Sequence, residues 1–206
     1  MPRPTRIPIT AATVGLVLAL AACERRPVEL GFWIEPVVYS SPRLGGQISL
    51  VELKTIERIA RSEIEQAFQR FEVTVTGNHD ARFSVVVVPT LKDNRLVRAG
   101  THAGESRAVA GFGGSGNVSF EYLANGAMVF APDDASRAEV IAALGRGIGR
   151  VAIHEFLHQL LPKFALHDSK DKDSYEGNSP ALLEGYFGDL HWDIASPALE
   201  QRLKPR

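Results

Sequence analysis

Residues 154–158 read His154-Glu155-Phe156-Leu157-His158. In a helix, positions four apart lie on one face, one turn from each other. Two imidazoles so spaced can grip one divalent ion, and zinc takes nitrogen donors at about 2.0–2.1 Å. Glu155 stands beside the first histidine and can reach an activated water without being a ligand, which is where a general base is needed. A helix can also carry two solvated histidines to no purpose. Ile153, Phe156, Leu157, Leu160 and Leu161 surround this pair, and polar groups held among apolar ones need partners.

A catalytic zinc site commonly takes three protein ligands plus water. His167, in Leu166-His167-Asp168-Ser169, is the first candidate for the third. Pro162 ends the helix after His158, so the chain can turn back and bring His167 under the ion. Glu184, in Leu182-Leu183-Glu184-Gly185-Tyr186, is the rival. It sits in a stretch that reads as a later helix, and its alternative is a solvated helix residue. Asp168 can orient a ligand histidine or cap a turn. Tyr175 can donate to the oxyanion formed when water attacks a carbonyl, or simply pack. His191 reads as a packing residue. His79 and His102 have no spacing that implies ligation.

The segment from His154 to Asp168 resembles the metzincin clan of zinc peptidases, where a third histidine follows H-E-x-x-H across a turn. Asp171, Asp173 and Ser174 are similar to the polar run after that histidine. The resemblance implies an α+β zincin/metzincin-like fold, with Zn²⁺ on His154, His158 and His167 and with Glu155 as a catalytic group; Tyr175, from its own reading, is the second catalytic candidate. The resemblance also implies a peptide or protein substrate. A Glu from a later helix, as Glu184 would be, resembles the gluzincin arrangement instead. The chain departs from the clan in three places. Leu161-Pro162-Lys163 replaces a glycine region, Phe164 holds the usual third-ligand spacing, and neither Met1 nor Met128 lies downstream to form a methionine turn. Ser174 to Asn178 occupies that place. These departures keep open a second reading, an envelope protein that binds metal or a partner without turnover.

The amino terminus begins with Arg3 and Arg6 and continues as an apolar run from Ala11 to Ala22. That run is shorter than the roughly 20 residues a spanning helix needs, and it reads as a targeting segment. Leu20-Ala21-Ala22-Cys23 resembles the lipobox of bacterial lipoproteins at all four positions. It implies a signal peptide over 1–22, cleavage before Cys23 and lipidation of that residue. Cys23 is the only cysteine, so it has no internal disulfide partner. Residues 23–30 then read as a lipidated tether and 31–206 as one domain. The expected location is the surface of a bacterial envelope membrane, held by acyl chains.

Lys and Arg number 23 and Asp and Glu 24, for a net charge of −1. No basic stripe marks a nucleic-acid partner. Gly111-Phe112-Gly113-Gly114-Ser115-Gly116 fits G-x-G-x-x-G, but strand-like Val118 to Tyr122 follows where a dinucleotide turn requires a helix. No nucleotide is expected, and the glycines read as a mobile loop near a cleft.

The elements that must position the site follow from pattern. A strand is expected within Glu29 to Tyr39, with Pro36 placing it at an edge or ending it, then a loop over Pro42 to Gln47. Ser49 with Glu52 makes a capping box, and Ile56, Ile59, Ala60, Ile64, Ala67, Phe68 and Phe71 recur at helical spacing. Glu57 and Arg61 can pair on its outer face. Val73 to Val75 and Arg82 to Thr90 read as strands. Asn117 to Leu123 and Ala127 to Ala131 are expected as a hairpin about Asn125-Gly126, with one of them binding an extended peptide at its edge. Ser136 and Glu139 form a second capping box, opening a helix that runs to about Leu161. Its Gly145, Gly147 and Gly149 are expected to pack against the sheet. The sum is α+β: a mixed sheet backed by an early helix and a long metal-binding helix.

Overall fold

A computed structural model describes residues 27–91, 103–109 and 113–206. The stretch expected to be a targeting segment, Cys23, His102 and the first glycine of the G-x-G-x-x-G string lie outside the described residues. The architecture is a five-stranded mixed sheet with helices packed on it.

Strands β1 (Val28–Ile34), β4 (Val73–Thr76), β5 (Phe83–Val88), β6 (Gly104–Val109) and β7 (Gly113–Ser119) form the sheet in the order β4-β1-β5-β7-β6. The first three pairings are parallel, and only β6 runs antiparallel to its neighbour. The short strands β2 (Ser40–Ser41) and β3 (Gly46–Gln47) pair separately, β2 just before the stretch read as a loop and β3 at its end. β1 begins at Val28, so three residues assigned to the tether belong to the sheet; Leu30 is fully buried.

Helix α1 (Leu50–Ala67) opens with the Ser49/Glu52 capping box, and Ile56, Ala60 and Ile64 form its buried stripe. Glu57 and Arg61 pair at 3.1 Å on its outer face. Helix α2 (Phe120–Phe130) replaces the expected hairpin. Phe120, Leu123, Ala124 and Ala127 are buried at spacings of three and four, so a helical period outweighs the local Asn-Gly turn signal. Gly126 leaves room for the Tyr186 hydroxyl, which a Cβ there would overlap. Ser119 caps the helix through Tyr122 N–H.

Helix α3 (Arg137–Leu160) opens with the Ser136/Glu139 capping box and is buried on nearly every side. Its glycines do not face the sheet. A Cβ on Gly145 or Gly149 would crowd Ile59, Ala60 and Glu63 of α1, and one on Gly147 would meet the Tyr186 ring. The close approach to the sheet comes instead from the sheet's own glycines. A Cβ on Gly114 would come within 2.5 Å of Gln159 Cγ, and one on Gly116 within 3.3 Å of Glu155 Cβ. The string read as a mobile loop is therefore, over Gly113 to Gly116, strand β7 beneath α3. Gly113 takes φ +123°, with the Arg82 carbonyl where a Cβ would stand.

Short helices α4 (Glu184–Phe187) and α5 (Ser196–Arg202) complete the chain. No described helix is long and apolar enough to cross a membrane.

Candidate metal centre

The last turns of α3 carry His154, Glu155 and His158. The helix ends at Leu161, whose N–H bonds the Leu157 carbonyl, and Pro162 follows. The chain then reverses through Phe164 N–H to Leu161 O and Leu166 N–H to Phe164 O. Leu166, fully buried, pins the 3-10 turn Leu166–Asp168, which presents His167 back toward the helix.

The three imidazoles form a near-equilateral triangle. Ring centroids lie 4.8 Å apart for His154 and His158, and 5.1 Å for His167 with each of the others. One ligand nitrogen from each ring lies within 4.8 Å of the other two. Three nitrogen donors converging on one point make a set that imidazole-binding divalent ions accept, zinc among them. Burial keeps the helical pair neutral, as ligands must be: it holds His154 down at about 4, with His158 and His167 adding to the effect, and it lowers His158 too. His154 Nδ1 lies 3.4 Å from the Tyr175 carbonyl, a partner that fixes the ring's orientation.

Glu155 stands about 100° round the helix from His154, between α3 and strand β6, and lines the same cleft as the three histidines. It is 5% exposed. Burial raises its carboxyl to about 8, and the neighbouring Glu105 adds to the rise. Gly104 makes this placement possible, since a Cβ there would overlap Glu155 Oε1. Ser106 Oγ donates to the Glu155 carbonyl at 3.2 Å, tying β6 to the helix.

One turn further, Gln159 does something its sequence position did not announce. Its side-chain amide is 1% exposed and accepts from Ser84 N–H at 3.1 Å while donating to Ser84 O at 3.0 Å. It completes the backbone bonding of β5 from the helix and fixes the rotation of α3 about its axis. The signal lay in the glycines opposite, which vacate the space the amide fills.

Residues 169–193 wall the other side. Ser169 Oγ donates to Asp193 Oδ2 at 2.8 Å, Ser174 Oγ to Asp171 O at 2.8 Å, and the buried Glu176 carboxylate accepts from Asp193 and Ala195 N–H. Tyr175 N–H bonds His191 O, and His191 N–H bonds Asp173 O. His191 pairs with Asp171 at 3.0 Å, at the wall's edge. Tyr175 is 7% exposed and packs its ring on Trp192 at 4.7 Å. Burial lifts its hydroxyl to about 12, and the charges acting on it are Glu63, Arg150 and Asp189, not Glu155. Its carbonyl lies 3.4 Å from His154 Nδ1, and the residue lines the same cleft as the triad. Glu184 is bound by Lys172 and is not among the clustered donors. Its lowered carboxyl reflects that lysine. Asp168 is exposed, His79 stacks on Trp33 at 4.2 Å, and neither joins the triad. Arg150, one turn before His154, bonds Glu63 and the Glu184 and Gly188 carbonyls, tying α1 and α4 to α3.

Between β6 and this wall runs a cleft of about 800 Å³, lined in its middle by Gly104, His154, Glu155, His158, His167 and Tyr175. The strand beside it is not one of the two expected to hold a peptide. Val118 belongs to β7, which is bonded on both sides, and Met128 is helical. The sheet edge at the cleft is β6.

Comparison of the chain with protein-family models, with curated proteins and with solved structures gives no match.

Proposed function

We propose that this chain is a zinc-dependent peptidase, held by an acyl anchor at Cys23 on the surface of a bacterial envelope membrane. The observation that carries the reading is the juxtaposition of three converging imidazoles with a buried carboxyl, beside β6, the edge strand of the sheet among the described residues. The resemblance of His154 to Asp168 to the metzincin clan supports the same assignment.

His154, His158 and His167 would hold the ion, which when bound supplies a Lewis acid that acidifies water and polarises a carbonyl. An extended peptide lies along β6, whose outward N–H and C=O groups complete its ladder. Glu155 takes a proton from the attacking water at a carboxylate oxygen and returns it to the amide nitrogen as the bond breaks. Its burial suits both halves of that cycle, because a carboxyl kept from solvent accepts and releases a proton near neutral pH. The Tyr175 carbonyl steadies His154. The hydroxyl of Tyr175, set among Glu63, Arg150 and Asp189, is left out of the proton path.

Replacing Glu155 by Gln is the direct test. E155Q is expected to retain zinc and to lose cleavage of a mixed peptide library by about 10³-fold. Undiminished hydrolysis would end the mechanism. Stoichiometric zinc without cleavage by the wild-type chain would assign it to the second reading, a metal- or partner-binding envelope lipoprotein.

A further inference from the structure

Behind the turn that carries His167 lies a second depression, of about 320 Å³, lined by Leu160, Leu161, Pro162, Phe164, Ala198 and Arg202. Pro162 borders both this groove and the metal cleft. Lys163 lies at its rim. The geometry points to this groove as the surface that seats the domain on an anionic membrane, with hydrocarbon against Leu161 and Phe164 and lipid headgroups on the surrounding cations. The inference rests on the acyl-anchor part of the proposed function.

Two independent observations choose that occupant. The first is position. Val28 N–H bonds Glu72 O at 2.9 Å, and Glu72 N–H bonds Lys204 O at 2.7 Å. The start of β1 is thus two strand-like steps, each about 4.8 Å, from the segment that follows Arg202. Cys23 lies five residues before Val28, and five residues span at most about 18 Å. The described chain therefore enters the fold beside the segment that follows α5, whose Arg202 lines the groove. The second is charge. Lys163 and Arg202 line the groove, and Arg70, Lys204 and Arg206 gather at the other flank of α5, where Arg70 bonds Ser196 and Glu200, Arg206 N–H bonds Arg70 O and Arg206 Nη2 bonds Val73 O. The carboxylates paired with this group are Glu72, with Lys204, and Glu200, with Arg70. In the connecting sequence Arg25 and Arg26 outnumber Glu24, for a net charge of the same sign. An apolar groove framed by cations beside a lipid anchor supplies the second membrane signal that firm attachment requires.

The consequence is an orientation. Seated this way, the His167 turn lies at the membrane surface and the cleft opens alongside it, so substrates reach the site near the bilayer.

The test uses the full acylated chain in phosphatidylglycerol vesicles whose acyl chains carry bromine, a contact quencher of tryptophan. F164W and, because Phe164 is partly buried, A165W at the exposed neighbouring position serve as probes. V38W serves as control, since Val38 follows the opposite end of β1 and is 74% exposed. Emission added by F164W and A165W is expected to be quenched severalfold more than that of V38W. Brominated phosphatidylcholine, or K163E with R202E, is expected to reduce the difference. Equal quenching at both ends, or none at either while the chain still floats with vesicles, overturns the seating and leaves anchor and peptidase untouched. Self-association that protects both probes from bromine assigns the groove to a second copy and overturns it as well. A wild-type chain that floats no better than C23A removes the anchor and this inference together, with cleavage assayed separately.

Discussion

Where α3 meets the sheet, it is held by a two-bond amide clasp from Gln159 to Ser84, by Ser106, and by glycines that let Glu155 and Gln159 sink against β6 and β7. Where the same helix meets residues 162–193, the contact is a polar loop. There His167 is exposed on one 3-10 turn and is positioned through the burial of Leu166. Two imidazoles and the carboxyl thus ride on a rigid element, and the third imidazole rides on a loop. The difference teaches that the cluster is preorganised in halves: the helix fixes the carboxyl and two nitrogen donors, and the turn completes the triangle.

The largest expected effect separates those halves by ligand. H154A and H158A should each weaken zinc binding by at least about 10³-fold, roughly 4 kcal/mol, measured by competition with a chelating dye. H167A should weaken it less, by about 10- to 100-fold, since an exposed turn can be replaced by water. Equal losses from all three would erase the distinction.

Next comes the clasp. Q159L strands a buried N–H and C=O on Ser84 and should cost about 3 kcal/mol in urea unfolding. A loss below about 1 kcal/mol would show that α3 does not depend on it.

The metal-free chain should also report the buried carboxyl through pH. Glu155 has a raised carboxyl, at about 8, so between its ordinary value and 8 the folded chain binds more protons than the unfolded one. Its stabilising effect is complete at acid pH and is lost as pH rises to 8. His154 is depressed to about 4, so its contribution runs the other way, lost as pH falls from 6.5 to 4. Above pH 6.5 only the Glu155 slope remains. Stability should fall by about 2 kcal/mol from pH 6.5 to 8, and E155Q should flatten that fall. A slope unchanged in E155Q would place the titration elsewhere.

Smaller still, G104A should lower cleavage about 10- to 100-fold by displacing the Glu155 carboxyl, with unfolding free energy changed by less than about 1 kcal/mol. Y175F is expected to change the rate less than about twofold, since the carbonyl that faces His154 survives the substitution; a large loss would return the hydroxyl to the mechanism.

The clustering of the three imidazoles was legible because helical period brings His154 and His158 to one face, and because Pro162 ends the helix and the chain reverses to deliver His167. Both capping boxes were readable for a similar reason, a local hydrogen bond written in adjacent residues. What escaped depended on partners distant in sequence. Asn125-Gly126 carries a hairpin signal, yet Tyr186, sixty residues on, needs the space that Gly126 leaves inside α2. β6, Gly-Glu-Ser-Arg-Ala-Val, lacks the apolar alternation of a half-buried strand because its inward positions are kept small for α3. The glycine string showed only flexibility until the helix it accommodates was in view. Gln159 was unreadable alone, since a glutamine on a helix is ordinarily a solvated residue. The mixed sheet and the two long helices were foreseen, and the strand facing the cleft was not.

Metal content of the purified full chain, determined by elemental analysis after exposure to excess zinc and exhaustive dialysis, tests the central claim most directly. One zinc per wild-type chain and none in H158A is the predicted result. A wild-type chain free of metal, or an H158A chain that retains the full complement, would contradict the assignment of the three imidazoles to a single ion.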